Sequence, residues 1–245
     1  MKLWDGQLRR RGTLTEALAL DLNGPGLVAA VGGGGKTSFL FRLAEECRSQ
    51  GKTVALTTTT HMARQTDFPL LVGASREAVR ATLQREQVAL IGEEDPETSW
   101  KIAGVDGETL DFLKRTADLV LVEADGAKKK PLKAPAEWEP VIPEGCSAVV
   151  AVVGCAGIGK TVEEACHRPE RVRALLGKAE GELMTPADVV RLACLPQGLR
   201  KGVKAPFRVL VNQVDGPEQW AMAQDLAEAF RQQGVLAAFA RLREP

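Results

Sequence analysis

Between an apolar run and an amphipathic one, the chain reads Gly32-Gly33-Gly34-Gly35-Lys36-Thr37-Ser38. The apolar run, 27–31, predicts a β-strand, and the amphipathic run predicts a helix that continues to about Gln50. Glycines let backbone N–H groups approach a polyphosphate closely, and the start of a helix adds unpaired N–H groups and the positive end of the helix dipole. Strand, loop and helix therefore predict a phosphate-binding loop.

The two residues after the glycines carry the predicted chemistry. Lys36 is placed to reach the β- and γ-phosphates of a nucleotide, and Thr37 is placed to bring its hydroxyl to Mg²⁺. The spacing departs from the usual Gly-x-x-x-x-Gly-Lys-Thr pattern, because Ala30 stands six residues before the lysine. A compact Gly-x-x-Gly-Lys-Thr interpretation from Gly32 fits equally well, and a flexible turn without a ligand is the alternative.

A second stretch matches the full eight-residue pattern: Gly154-Cys155-Ala156-Gly157-Ile158-Gly159-Lys160-Thr161. Its context argues against a phosphate site, because a phosphate-binding lysine needs a substantial helix after it. Pro169 comes within a few turns and biases Arg168 away from helical geometry. We therefore interpret this stretch as a strand-end turn beside the site, with an independent phosphate site as the alternative.

Length and composition support one α/β domain. The 245 residues are 44% hydrophobic and 26% charged, which suffices for a buried core and speaks against disorder. We predict a doubly wound, mostly parallel sheet in a three-layer αβα fold like that of P-loop NTPases, spanning 1–245 with room for a small insertion at about 62–106. Further predicted elements are a helix from a Thr13 cap to Leu20, helices at 74–87, 107–117 and 217–233, strands at 53–57, 88–91 and 235–239, and an acidic turn at 92–98.

Charge and hydropathy exclude several classes of protein. Lys and Arg together equal Asp and Glu, 32 of each, so no global charge favours nucleic acid or acidic lipid. No apolar run reaches the ~20 residues of a membrane span, and the first residues do not open a signal peptide. Five scattered cysteines without a Cys-x-x-Cys pair predict buried, reduced thiols rather than a zinc site. We therefore expect a cytoplasmic protein with no nucleic acid and no membrane partner.

A second apolar strand, 118–122, ends in two acids, Glu123 and Asp125. Acids two residues apart point the same way along a strand, and a strand end holds a carboxylate rigidly. Either acid is therefore a candidate to complete the Mg²⁺ shell or to orient an attacking water near Thr37. The alternative is a solvated acidic turn.

Two polar segments lie where the ends of parallel strands would gather ligands. The run Thr57-Thr58-Thr59-Thr60-His61 ends a short strand, so Thr59 could meet Mg²⁺-bound water or the γ-phosphate, and His61 could orient a substrate or move a proton. The basic run 128–133 comes directly after the acidic strand, and Lys133, between two prolines, is our candidate for binding a phosphate or another anion. Satisfied turn hydroxyls and a solvated basic face are the respective alternatives.

A further strand, 209–211, leads into Asn212-Gln213-Val214-Asp215, a near match to the Asn-Lys-x-Asp element that recognises guanine. Asn212 and Asp215 are therefore candidates to contact the nucleotide base. Gln213 replaces the lysine, so the choice between ATP and GTP stays open. A strand-end turn is the alternative.

Six blocks of the sequence carry a further signal: Gly32–Thr37, Thr57–His61, Glu123–Ala127, Pro131–Pro135, Glu139–Pro143 and His167–Glu170. Together they resemble the YqeC family. The resemblance implies a P-loop nucleotide-binding protein that helps to mature or insert the selenium-containing cofactor of molybdenum hydroxylases. A molybdenum hydroxylase, or a molybdenum or selenium cofactor intermediate, is the partner it implies. Composition and periodicity show none of that role.

The sequence thus predicts an Mg²⁺-dependent nucleoside triphosphate-binding protein that hydrolyses its nucleotide. Lys36 with Glu123 or Asp125 would carry the chemistry. Two alternatives stay open. One is a kinase or ligase that acts on a small anionic substrate through Lys133, His61 and Arg168, and the other is an adaptor that binds nucleotide without hydrolysing it.

Overall fold

The computed structural model describes residues 1–24 and 26–242. Its strands are Lys2–Trp4 (β1), Gly26–Gly32 (β2), Val54–Thr58 (β3), His61–Ala63 (β4), Leu70–Val72 (β5), Val88–Glu94 (β6), Lys101–Ala103 (β7), Leu119–Glu123 (β8), Leu132–Lys133 (β9), Ala148–Gly154 (β10), Cys166–His167 (β11), Phe207–Asn212 (β12) and Leu236–Arg241 (β13). The centre of the fold is a parallel sheet of seven strands, β6-β3-β8-β2-β10-β12-β13, which antiparallel strands extend at both edges. β5 adds to the sheet by pairing with β6, and β9 pairs separately with β11.

Helices cover both faces of this sheet, because its central strands are apolar on both sides. The helices are Leu14–Leu18 (α1), Lys36–Ser49 (α2), Arg76–Glu86 (α3), Gly107–Thr116 (α4), Val162–Ala165 (α5), Pro169–Leu176 (α6), Pro186–Cys194 (α7) and Pro217–Gln232 (α8). Helices α1 and α2 pack on one face, where Leu14, Phe39 and Leu43 join side chains of β2, β3 and β8. The other face is covered by α3 and α4 at one end and by α6, α7 and α8 at the other.

This arrangement confirms the predicted doubly wound, mostly parallel three-layer fold. The helix after the glycines ends where the sequence predicts, with Gln50 at its C-cap and Gly51 in the left-handed region. The Thr13 hydroxyl caps α1 by accepting from the Glu16 N–H, but this helix stops at Leu18, because Ala19 adopts a left-handed conformation instead of continuing to Leu20.

The middle of the chain departs from its prediction in one place. The first part of the predicted acidic turn, 92–98, is strand, because Glu93 and Glu94 pair with β7 and extend β6. The candidate insertion, 62–106, contributes β5, β6 and β7 to one edge of the same sheet, and α3 packs on a face of it. None of the helices in the described part of the chain combines the length and the apolar composition that crossing a bilayer requires.

Candidate functional site

The glycine loop joins the end of β2 to the start of α2, at the carboxyl edge of the parallel sheet. Gly34 sits at φ 77°, in the left-handed region that favours glycine, and a Cβ there would lie 2.9 Å from the Pro131 carbonyl oxygen and overlap the backbone of Gly154. A larger residue at this position would therefore push the loop away from both neighbours.

Two backbone segments hold the loop. The Gly33 N–H donates to the Val152 carbonyl of β10 at 2.9 Å, and the Gly34 N–H donates to the Lys130 carbonyl at 3.0 Å. Lys130 belongs to the segment Lys128–Pro131, called the strap below, which comes after the acidic strand and crosses the loop. The N–H groups of Lys36 and Thr37, at the start of α2, have no partner within the helix by its geometry.

Lys36 is folded back under the loop and its side chain is only 4% exposed. Its Nζ donates to the Gly32 carbonyl at 2.7 Å and lies 3.1 Å from Asp125 Oδ1 and 3.9 Å from Glu123 Oε1. Burial by itself lowers the pKa of Lys36, but the two carboxylates outweigh it and raise the pKa above its ordinary value. The ammonium group therefore stays charged in the loop.

Thr37 and Glu123 meet across two elements. The Thr37 hydroxyl donates to Glu123 Oε2 at 2.7 Å. Glu123 faces α2 because side chains alternate along β8, and Leu121, two residues earlier, packs against that helix. Burial, together with the nearby Asp125 charge, raises the pKa of Glu123 above its ordinary value despite Lys36. The pair offers two oxygen donors of the kind that Mg²⁺ prefers.

Asp125 serves the loop in a different way. It is fully buried, and its carboxylate accepts from the Gly32 N–H at 3.0 Å while it pairs with Lys36 and, at 3.1 Å, with Lys133 Nζ. The structure thus places Glu123, rather than Asp125, against Thr37. Asp125 instead joins the loop to the residues behind it.

Lys133 is 0% exposed and continues the chain of charges. Its Nζ donates to Glu139 Oε2 at 2.6 Å and to the Gly126 carbonyl at 2.6 Å, and Glu139 in turn accepts from Arg168 Nη1 at 2.7 Å. Burial alone would raise the pKa of Glu139, but Lys133 and Arg168 lower it to about 2. We call this set the buried charge network: Lys36, Glu123, Asp125, Lys133, Glu139 and Arg168.

The buried charge network balances three positive groups against three negative ones, so each charge has a partner when no ligand is bound. The sequence analysis includes Glu139 in a block that resembles the family but gives it no role in the site. The available signal is weak: Glu139 lies six residues after Lys133 in a proline-rich segment, and that spacing alone does not predict the contact. Arg168 was predicted only as a substrate contact in one alternative.

Asn212 braces the loop from below. Its Nδ2 donates to the Gly34 carbonyl at 2.8 Å, and its Oδ1 accepts from the Leu242 N–H at 3.2 Å, so both ends of the buried amide are occupied by the chain. Asp215 lies apart, with its side chain 57% exposed and Oδ1 3.5 Å from Arg241 Nε. Base recognition by Asn212 and Asp215 stays a prediction.

The threonine run lies beside the acidic strand, but two of its predicted functional side chains turn elsewhere. Thr58 Oγ1 donates to the Glu123 carbonyl at 2.8 Å, whereas Thr59 Oγ1 donates to the Val141 carbonyl at 2.7 Å. His61 is exposed, with Nε2 3.7 Å from Asp95 Oδ2. Ser38 lies half-buried in the first turn of α2. Nothing in these contacts joins Thr59 or His61 to the glycine loop.

The second glycine stretch has the short helix that its sequence predicts. After β10 it forms a 3₁₀ turn at Cys155–Gly157, and the Thr161 hydroxyl caps α5, which is only four residues long. Lys160 is exposed. Burial raises the pKa of the Cys155 thiol to about 12, which fits a packing role rather than a reactive one.

Fold and site together define a class: a doubly wound α/β protein with a P-loop-like glycine loop, a lysine beneath it, and a threonine–carboxylate pair at the start of the next helix. A family model described as YqeC protein matches residues 28–170, more than half of the chain. The chain is also 32% identical over 230 residues to a protein of Escherichia coli (strain K12) described as "Uncharacterized protein YqeC", with 90% of each chain covered. The chain belongs to the YqeC family.

Proposed function

We propose that this protein binds a nucleoside triphosphate with Mg²⁺ at residues 32–38 and hydrolyses it to assist maturation or insertion of the selenium-containing cofactor of a molybdenum hydroxylase. One observation carries the nucleotide site: the 2.7 Å hydrogen bond between the Thr37 hydroxyl and Glu123, beside a buried lysine and at the start of a 14-residue helix. The cofactor role rests on the sequence resemblance to the YqeC family.

The donor set fits Mg²⁺. A hydroxyl and a carboxylate are hard oxygen ligands, and Mg²⁺ is commonly held by one or two such groups together with phosphate oxygens and water. In the described residues no group of three His, Cys, Asp or Glu side chains could hold a metal by itself. Thr37 and Glu123 would therefore hold Mg²⁺ together with the nucleotide. When bound, the ion neutralises charge on the phosphates.

The loop places limits on where the phosphates would lie. The Gly33 and Gly34 N–H groups already bond to Val152 and Lys130. The phosphates would therefore meet the N–H groups at the first turn of α2, where the helix dipole also favours an anion. Binding deeper in the loop would require the strap to release the Gly34 N–H.

Lys36 can change partners without leaving an unpaired acid. Its present partner, Asp125, is also held by Lys133 at 3.1 Å and by the Gly32 N–H. Lys36 would therefore move from Asp125 to the phosphate charge while Asp125 stays neutralised, which avoids the large cost of an isolated buried carboxylate. Glu123 would keep its position beside Thr37 and orient the attacking water or the metal shell. Because both ends of the Asn212 amide are occupied by the chain, the exposed Asp215 beyond β12 is the group that is free to contact the base.

The nucleotide proposal is tested by titrating the purified protein with ATP and with GTP, with Mg²⁺ and with a chelator, while phosphate release is measured. We expect tighter binding with Mg²⁺ and slow release. The Glu123→Gln variant keeps a hydrogen-bonding side chain but removes its charge, so it should lose the gain from Mg²⁺. No binding of either nucleotide at millimolar concentration would overturn the proposal. Binding without phosphate release would select the adaptor alternative.

The cofactor role needs a separate test. Selenium-dependent molybdenum hydroxylase activity would be measured in cells whose own copy of this protein is replaced by the Glu123→Gln variant. We expect the hydroxylase polypeptide to accumulate with reduced activity. Unchanged hydroxylase activity, with a variant shown not to bind Mg²⁺-nucleotide, would separate nucleotide binding from cofactor maturation.

A further inference from the structure

An exposed tryptophan lies beside the outer end of the buried charge network. Trp138 is 70% exposed, and Arg168 Cζ lies 6.0 Å from the centre of its ring. Glu139 fixes this arginine through bonds to Nη1 at 2.7 Å and Nη2 at 3.3 Å. A large aromatic side chain held at the surface next to a fixed guanidinium offers a flat apolar face and a cation together.

The strap is tied to α5, just before Arg168, because Lys130 Nζ donates to the Glu163 and Glu164 carbonyls. It carries two further lysines that add positive charge. Lys128 and Lys129 are both exposed, and both have left-handed backbone conformations, with φ 45° and 61°. In the described part of the chain neither ammonium group pairs with a carboxylate. The neighbouring acid Glu137 is itself paired with Arg171, at 3.2 Å. The surface therefore keeps a local excess of cations, although the whole chain has no net charge.

His167 lies among these cations. Its backbone is paired with Lys133 through β9 and β11. Burial, and after it the nearby charges of Arg168, Lys133 and Lys128, lowers the pKa of the imidazole to about 4, and Glu139 acts weakly in the other direction. The imidazole is therefore neutral at neutral pH and surrounded by positive charge, a setting that an anion would relieve.

We propose that Lys128, Lys129, Arg168 and Trp138 form a second binding site, for a small organic oxyanion such as a phosphate or carboxylate attached to a flat ring. The oxyanion would pair with the lysines and with N–H groups of the Arg168 guanidinium that Glu139 does not use, and the flat part would lie on Trp138. A nucleic acid is a poorer match, because the zero net charge of the chain gives no extended basic surface.

The site is distinct from the glycine loop, but the buried charge network joins the two. Arg168 contacts Glu139, Glu139 contacts Lys133, and Lys133 contacts the same Asp125 that holds Lys36. If the nucleotide proposal holds, a second substrate of the same reaction would bind at this oxyanion site. The oxyanion site itself does not depend on that proposal.

The chain contains only two histidines, His61 and His167, which makes the test direct. Both imidazoles would be titrated by NMR with inorganic phosphate and with phenyl phosphate, without nucleotide, and a His61→Gln variant would assign the signals. We expect either anion to raise the pKa of His167 by about 1 unit and to leave His61 unchanged. Phenyl phosphate should bind more tightly than phosphate, and Trp138→Ala should remove that difference.

Matched variants separate this site from the glycine loop. The double variant Lys128→Gln, Lys129→Gln changes two exposed side chains and should weaken anion binding about 10-fold or more, whereas Lys204→Gln, an exposed lysine elsewhere, should not. A His167 response that survives the double variant but disappears in Lys36→Ala would place the anion in the glycine loop and overturn the inference. No response to either anion would also overturn it, while nucleotide binding by the wild-type protein would remain unaffected.

Discussion

The two glycine stretches of this chain make an instructive comparison. The stretch 154–161 matches the phosphate-loop pattern in full, yet it leads into a helix of four residues, whereas 32–38 departs from the pattern and leads into a helix of 14. The difference lies in the residues after the lysine. Phe39, Leu40 and Leu43 give α2 a buried face, whereas Cys166 and His167 return the chain to a strand soon after Thr161. The helix, rather than the glycine spacing, is therefore what would favour an anion at the first stretch, as proposed.

The two stretches also differ in their contacts. Lys36 is buried in the charge network, whereas Lys160 is exposed. The second stretch instead forms part of the wall around the first, since the Gly154 N–H donates to the Pro131 carbonyl at 2.9 Å and a Cβ at Gly154 would lie 2.8 Å from the Pro131 side chain. Gly154 is therefore a glycine because a side chain there would clash with Pro131. A match to a binding motif can therefore have a structural cause.

The largest difference between the two stretches should be in how much a lysine substitution beside each of them lowers the free energy of unfolding. Lys133→Met removes a buried cation and leaves Asp125 and Glu139 under-compensated, which typically costs about 3–5 kcal/mol of the free energy of unfolding. Lys160→Met changes an exposed side chain beside the second stretch and should stay within about 0.5 kcal/mol. Urea unfolding of both variants measures the difference. Equal losses would show that the buried charge network does not stabilise the first loop.

The next contrast is the response to acid. Lys133 and Arg168 lower the pKa of Glu139 from 4.5 to about 2. The contribution of the ionised Glu139 to the free energy of unfolding is therefore fully present above pH 4.5 and is lost as the pH falls toward 2. That contribution is at most about 3 kcal/mol. The comparison is between wild type and Glu139→Gln, unfolded by urea at several pH values. Their difference should be largest at neutral pH and shrink below pH 4.5, and a constant difference would contradict the assignment.

Local patterns were enough to predict the first loop, its helix and the fold, because apolar periodicity and the acid at the end of β8 are properties of neighbouring residues. The contacts that complete the site join distant parts of the chain. Asn212 and Gly34, for example, are 178 residues apart, and the Lys130 carbonyl reaches the loop only because the strap crosses it. No periodicity records such contacts. Hence the bracing by Asn212 was not predicted. Glu139 was missed for a different reason: it is only six residues from Lys133, but no regular period links the two residues across the prolines.

Nucleotide affinity should distinguish the two lysines. If the phosphates bind at the first loop, Lys36→Ala should weaken binding about 10- to 100-fold, the value of one or two charge-assisted hydrogen bonds, and Lys160→Ala should leave it unchanged. Calorimetric titration measures both, and thermal unfolding first confirms that Lys36→Ala remains folded. If Lys160→Ala had the greater effect, the phosphates would belong to the second stretch.

Two glycines with nearly the same backbone provide a matched pair. Gly34 and Gly159 have φ of 77° and 79°, but only Gly34 is crowded, since a Cβ at Gly159 would meet nothing within 4 Å. Both alanine variants carry the left-handed penalty of about 1–2 kcal/mol. Gly34→Ala should cost about 1–3 kcal/mol more, because the Pro131 carbonyl and Gly154 leave no room. Urea unfolding of the two variants measures this, and equal losses would mean that the strap yields easily.

The smallest contrast concerns the two threonines next to the lysines. Thr161→Ala removes a helix cap and should cost about 1 kcal/mol of stability, without any change in nucleotide binding. Thr37→Ala should have a comparably small effect on stability but should abolish the gain in nucleotide affinity from Mg²⁺, because its hydroxyl is one of the two proposed ligands. Titrations with and without Mg²⁺ decide between these effects, and Thr37→Ser, which keeps the hydroxyl, should restore the gain. A Thr37→Ala protein that still gains affinity from Mg²⁺ would show that the metal does not bind through the Thr37 hydroxyl beside Glu123, as proposed.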